Sequence, residues 1–292
     1  MKAAAFEFIG AKSLHQALDA INQDQSDSKI MGGSQSLGPM LNLRLARPSL
    51  VVDISGLDEL RQVHADQDAI RIGACVTHAE IEDGVFAPLA NHPWRKVAAH
   101  IAYRSVRNRG TIGGSIAHAD PAADWVLAAS AVNAEIEIIR ADDTSKSKLL
   151  TRSIKMNDFM IAAYTTALES NEVISAIKVP SMHSNTLWGY YKFCRKVGEF
   201  AESSCAAYFD PQTRTANIMI GALDGAPRNL ASLASTIAQG GWSGSTRNPE
   251  LKSVVKKAIM DACPERDLLD WNMYTTTVMR CLDRAFGVKD PA

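Results

Sequence analysis

The sequence has no apolar run approaching the roughly 20 residues that a membrane-crossing helix needs. Nor does it open like a secretory signal: Glu7 follows Met1-Lys2-Ala3-Ala4-Ala5-Phe6, where an apolar stretch would stand. Both absences point to a cytoplasmic location. Cysteine is scarce. Cys75, Cys194, Cys205, Cys263 and Cys281 are far apart, odd in number and free of Cys-x-x-Cys spacing. Neither a disulfide framework nor a self-contained zinc or iron–sulfur site is therefore expected. Charge of one sign is also missing, with a formal net of −1, which argues against nucleic acid or an anionic membrane as a partner. Arg104, Arg107 and Arg109 form the one basic cluster beside a glycine-rich loop. They are too few for a nucleic-acid groove and suit phosphate on a small ligand better. Neither Gly-x-Gly-x-x-Gly nor Gly-x-x-x-x-Gly-Lys-Ser occurs, which disfavours Rossmann and P-loop folds. No internal repeat is visible, and no acid–base dyad, nucleophile or metal cluster stands out as catalytic.

What is present is a soluble globular composition, 46% hydrophobic and 22% charged over 292 residues, long enough for two domains. Leu14, Ala17, Leu18 and Ile21 make a helical stripe over residues 13–22. Lys29-Ile30-Met31 is a short apolar run entering Gly32-Gly33-Ser34-Gln35-Ser36, after which Pro39 suits the first position of a helix reaching residue 45. Strands are expected at 50–54 and 69–73, and helices at 77–83 and 93–103. Asp120-Pro121 reads as an N-cap and first residue of a helix over 122–131. Further strands follow at 134–140, 172–179, 187–193, 203–209 and 216–220, then helices at 229–239, 249–262 and 271–286. Strands before helices is an α+β arrangement. The polar stretch 180–185 marks a boundary, dividing the chain into domains 1–179 and 185–290.

Two glycine loops carry the chemistry, Gly32-Gly33-Ser34-Gln35-Ser36 and Arg107-Asn108-Arg109-Gly110-Thr111-Ile112-Gly113-Gly114-Ser115. Glycine permits positive φ and close approach of a ligand to the backbone. Successive N–H groups at a helix start form an anion-binding concavity. Two such concavities converging on one diphosphate would share its charge without a metal, and Ser34, Ser36, Thr111 and Ser115 add hydroxyl donors. Valine at Gly113 or Gly114 is then expected to abolish ligand binding and leave the fold largely intact. From the residues alone, the ligand is a phosphate-bearing cofactor of open identity.

Residues 32–44 (GGSQSLGPMLNLR) and 107–124 (RNRGTIGGSIAHADPAAD), followed by 190–201 (YYKFCRKVGEFA), resemble the FAD-binding medium subunits of molybdenum hydroxylases in order and spacing over nearly the whole chain. The resemblance implies a p-cresol methylhydroxylase-type FAD-binding domain of two subdomains plus a smaller C-terminal α+β domain. It implies that Gly32, Gly33, Ser34, Gln35, Ser36 and Leu37, with Thr111, Gly113, Gly114 and Ser115, hold the FAD diphosphate. Asp124 would bind FAD, Ile174 would line the pocket and Lys192 would approach the flavin. Tyr190 or Tyr191 would sit beside the ring; strand alternation allows only one, and Tyr191 is the one taken. Ser34 stands where the family has a glycine, so a positive φ there would cost about 1 kcal/mol or more.

The same resemblance implies an electron-transfer role rather than hydroxylation by this chain. Electrons would come from 2Fe-2S clusters of a small partner subunit, fed by a molybdenum–pterin centre in a large one, in a dimer of three-subunit units. An external acceptor would take them from FAD. The alternative is a stand-alone FAD-dependent oxidase, whose C-terminal half would aim His and Tyr groups at the flavin; the only histidine of that half is His183.

Overall fold

The computed structural model describes residues 2–23, 27–142, 144–145, 148–242 and 248–288. Apolar runs in the first sixty residues make a parallel layer: β1 (Glu7–Gly10), α1 (Leu14–Gln23), β2 (Ser28–Met31), α2 (Leu37–Asn42) and β3 (Leu50–Asp53), with strand order β1-β3-β2. The stripe read from the sequence is the face that α1 buries, with Leu14, Ala17, Leu18 and Ile21 all enclosed. Because β2 ends at Met31 beside Asp53 of β3, the first glycine loop leaves the carboxyl edge of this sheet.

A second, antiparallel sheet follows. Its parts are β4 (Val63–Ala65), β5 (Ala69–Gly73), α3 (His78–Asp83), α4 (Trp94–Ala99), α5 (Arg104–Arg107), α6 (Ile112–His118), α7 (Asp124–Ala131), β6 (Glu135–Ala141), β7 (Leu149–Lys155), α8 (Met156–Phe159), the hairpin β8 (Met160–Ala162) and β9 (Thr165–Thr166), and β10 (Val173–Pro180). The strands run β4-β5-β10-β6-β7. A third sheet, β11 (Leu187–Phe193), β12 (Ser203–Asp210), β13 (Thr215–Gly221) and β14 (Arg228–Asn229), is covered by α9 (Ala231–Gly240), α10 (Pro249–Ala262) and α11 (Leu268–Ala285). A Cβ at Gly189 would overlap the Cys281 carbonyl oxygen, so glycine is what lets β11 lie against α11. Every residue of α7 is buried. It packs on β12 and β13, where Asn217 Nδ2 donates to the Ser130 and Ala131 carbonyls at 3.2 and 2.8 Å. Among the described residues no helix is long and apolar enough to cross a membrane.

The chain departs from the sequence expectation at several helix starts. α2 begins at Leu37, which puts Pro39 in its first turn rather than at its first position. The segment expected as one helix over 93–103 ends at Ala99 as α4; Ala102, at φ 39°, turns the chain, and α5 starts only at Arg104. The second glycine pair is not a loop but the first turn of α6, capped by the Thr111 hydroxyl. Asp120 does not cap α7. Its Oδ1 accepts from the Ala122 N–H at 2.9 Å in a local turn, and the helix starts at Asp124 behind Ala123. An Asp-Pro pair serves a turn as well as a cap. The expected C-terminal region 185–290 runs two residues past the described ones.

Candidate cofactor site

The two glycine segments touch. A Cβ on Gly33 would overlap the Arg109 carbonyl, and one on Gly32 would come within 2.8 Å of the Thr111 hydroxyl. Their glycines are thus required by close approach; among Gly32, Gly33, Gly113 and Gly114 none has positive φ. The left-handed position belongs to Ser34, at φ 63°, so the strain foreseen for a serine there is present. The turn is held by the Gly38 N–H on the Ser34 carbonyl at 3.0 Å and by Gln35 Nε2 on the Gly33 carbonyl at 3.2 Å. The main-chain N–H groups of residues 32–37 donate to no acceptor within the described chain. Six consecutive unoccupied donors on one turn form a concavity for an anion.

The second segment is built differently. The Ile112 and Gly113 N–H groups donate to the Val76 and Ala74 carbonyls at 3.0 and 2.9 Å. Those of Gly114 and Ser115 donate to the Thr111 hydroxyl and carbonyl at 3.2 and 3.0 Å. Its backbone donors are therefore engaged, and what it offers is the hydroxyls of Thr111 and Ser115 at the positive end of α6. Gly113 is buried, and a Cβ there would meet Ala74 Cβ at 2.5 Å. Valine at Gly113 would strike the core, contrary to the expectation that the fold survives it. Gly114 is exposed and its Cβ would meet only the Thr111 hydroxyl, at 2.8 Å.

Sequence reasoning missed His78, which supports this segment. Its N–H donates to the Gly110 carbonyl at 2.9 Å, and its Nδ1 accepts from Trp125 Nε1 at 2.9 Å. Burial, with Arg107 nearby, holds the ring down to about 3, so it is neutral at physiological pH. The capping box of Thr77 and Glu80 around it was the available signal.

Asp124, first residue of α7, is buried and bonded across the molecule. It accepts from the Tyr190 hydroxyl and from Lys192 Nζ, whose distance to each carboxylate oxygen is 3.2 Å. Lys192 also donates to the His100 carbonyl at 3.3 Å. Both side chains of the ion pair are nearly enclosed, 3% and 6% exposed. Burial pushes the Asp124 carboxyl up while Lys192 and then Tyr190 pull it back, and burial beside Asp124 drives the Tyr190 phenol far up. Strand alternation puts Tyr190 and Lys192 on the same face of β11. Tyr191 takes the other face, with Arg280 and Arg284 over its ring at 5.4 and 4.7 Å. The structure therefore puts Tyr190 on the Asp124 side of β11 and Tyr191, which the sequence reading had taken as the flavin neighbour, on the face under Arg280 and Arg284. Ile174 is buried in β10 in the same cluster as Ile112 and Ile116 of α6. Among the described residues no group of three His, Cys, Asp or Glu is placed to hold a metal.

Residues 4–182 match the family described as "FAD binding domain in molybdopterin dehydrogenase". The chain is 33% identical to the nicotine 6-hydroxylase medium subunit of Paenarthrobacter nicotinovorans, over 88% of this chain and 87% of that one. It is 34% identical to the carbon monoxide dehydrogenase medium chain of Hydrogenophaga pseudoflava, over 69% and 68% respectively. The chain belongs to the FAD-binding medium subunits of the molybdenum hydroxylases. The fold agrees: a carbon monoxide dehydrogenase chain from H. pseudoflava superposes with a TM-score of 0.83 at 29% identity, covering 98% of this chain and 99% of that one. A chain of quinoline 2-oxidoreductase from Pseudomonas putida 86 gives 0.82 at 27%, with the same coverage. This medium subunit carries the FAD-binding domain of an FAD-dependent oxidoreductase, and its residues fit that cofactor. The N–H groups of residues 32–37, which donate to no acceptor within the described chain, with Gly32 beside the Thr111 hydroxyl, suit the oxygens of a diphosphate.

Proposed function

We propose that this medium subunit is the electron-transfer chain of a molybdenum-containing hydroxylase, taking electrons from 2Fe-2S clusters of a small partner and delivering them to an external acceptor. Bound FAD supplies the redox chemistry; the chain supplies position and electrostatics. Residues 32–37 and the Thr111 and Ser115 hydroxyls grip the diphosphate. The Asp124–Lys192 pair and Tyr190 fix the region where the second and third sheets meet, and Ile174 keeps it apolar. We place the FAD-binding domain, of the p-cresol methylhydroxylase type with two subdomains, at 1–179 and a smaller α+β domain at 185–290. The first two sheets correspond to the subdomains and the third to the smaller domain.

The observation that carries this reading is the kind of chain matched. The nicotine 6-hydroxylase and carbon monoxide dehydrogenase relatives are named as a medium subunit and a medium chain and are covered over 87% and 68% of their own length, which supports reading this chain as a subunit. The site agrees, because its buried ionisable groups Asp124, Lys192 and Tyr190 are paired with one another instead of aimed at a substrate. Partners are therefore a small iron–sulfur chain and a large molybdenum–pterin chain, as a dimer of three-subunit units in the cytoplasm. Native purification with metal analysis and mass spectrometry should return molybdenum, iron and both partner chains. The isolated subunit should show weak NADH- or dye-linked flavin activity and no hydroxylation. A competent single chain containing neither metal would replace this reading with a stand-alone FAD oxidase.

A further inference from the structure

The arginine cluster beside the second glycine segment is divided by the structure. Arg104 meets Glu82 at 2.9 Å and Asp83 at 2.5 Å, and Arg107 meets Glu82 at 2.7 Å while donating to the Ile101 and Ala102 carbonyls. Both guanidiniums are neutralised and tie α5 to α3. Lys192 is likewise committed to Asp124. Arg109 is different. It is exposed, and its guanidinium meets no carboxylate and no acceptor among the described residues. Its backbone is nonetheless fixed beside the turn: its N–H donates to the Val106 carbonyl at 3.1 Å, and its own carbonyl packs against Gly33, one of the six residues whose N–H groups stand open.

A diphosphate brings two negative charges to that turn, and neutral N–H dipoles alone leave them uncompensated by any full charge. We propose that Arg109 is the cationic partner of the FAD diphosphate, pairing with it through the guanidinium fork and drawing the anionic cofactor toward residues 32–37. The inference rests on reading residues 32–37 as the diphosphate cradle. A planar fork matches phosphate oxygens in pairs, which a lysine ammonium does not. The side chain has no partner among the described residues, so its removal acts on binding and not on stability.

The test is titration of FAD into the flavin-free full chain, for wild type, Arg109→Gln and Arg109→Lys, at about 0.01 M and 1 M salt, between which the screening length falls from about 30 to 3 Å. Thermal melts of the flavin-free proteins are run alongside, and ADP serves as a diphosphate competitor. Arg109→Gln should weaken FAD about 10- to 100-fold at low salt, with most of that gap closing at high salt and no change in melting temperature. Arg109→Lys should fall between, keeping the salt dependence. Equal affinity of wild type and Arg109→Gln at low salt overturns the proposal, as does a loss that salt leaves untouched or that accompanies a lowered melting temperature. If ADP fails to compete with FAD in the wild type, the cradle itself is misplaced and the proposal falls with it. If ADP competes while Arg109→Gln binds normally, only the role of Arg109 falls.

Discussion

Lys192→Met keeps the lysine stem's apolar bulk and removes its charge. The ammonium it deletes is 3% exposed and lies 3.2 Å from both oxygens of a carboxylate that is 6% exposed. Breaking an enclosed pair from one side costs about 3–5 kcal/mol, because the remaining charge is left in a poorly solvating interior. Among the described side chains, only the Tyr190 hydroxyl would still serve Asp124. The carboxyl, already pushed up by burial, rises further without Lys192 and takes a proton instead. The sign follows from linkage. A folded-state pKa raised above the unfolded value near 3.9 costs nothing below that value, and costs progressively more as pH rises through the folded pKa. Urea unfolding of the flavin-free chain should therefore show a deficit of several kcal/mol at pH 7 that narrows toward pH 4. Asp124→Asn combined with Lys192→Met should recover much of it. A single-variant loss under about 1 kcal/mol at pH 7, the size of an exposed pair, would refute the reasoning. So would a double variant no better than the single.

The two helical glycines should separate in the same assays: Gly113→Val strikes Ala74 in the core and should yield a destabilised or insoluble chain, at about 1–3 kcal/mol or more. Gly114→Val crowds only the Thr111 hydroxyl that caps α6 and should cost about 1 kcal/mol, less than Gly113→Val, yet bind FAD at least about tenfold more weakly; normal FAD titration of that variant would count against the site. Ser34→Gly relieves a left-handed serine and should raise stability by about 0.5–1 kcal/mol, seen as a higher urea midpoint; a lower midpoint would show that the hydroxyl matters more than the strain. Burial lowers His78 to about 3 and His92 to about 4, so their contribution is complete above pH ~6.5 and is lost as pH falls, at about 1.4 kcal/mol per pH unit each, with Asp124 opposing by one proton. Urea midpoints unchanged from pH 7 to pH 5 would contradict this.

The strands and helices that bury one periodic face were readable in advance. The stripe of α1, all of β11, and α10 stand where the pattern put them. β7 was missed because Leu149-Leu150-Thr151-Arg152-Ser153-Ile154-Lys155 is an edge strand with charge on it, and Arg152 is held by Glu172 at 2.6 Å, a partner distant in sequence. Helix starts failed where one signal serves two structures, as at Asp120-Pro121. At the site, the two glycine segments were legible as a pair, and the structure presses Gly32 and Gly33 against Thr111 and Arg109. The second pair, however, is a helix turn whose N–H groups are already engaged. That Gly33 is needed for contact with Arg109 and not for φ was not legible, since both demands select glycine. Nor could the sequence say that Tyr190 shares a face with Asp124, because period two divides the tyrosines without naming the inner one.

Helix α7 is enclosed on all sides, yet the surfaces enclosing it come from both ends of the chain. The carboxylate at its start meets a lysine 68 residues later. At about 5–20 residues per second, a ribosome needs roughly 3–14 s to supply that partner after Asp124 is made. For those seconds one flank of an apolar helix and an uncompensated carboxylate have nothing to rest on. The burial of α7 is therefore completed only by β12 and β13, which come from the last third of the polypeptide.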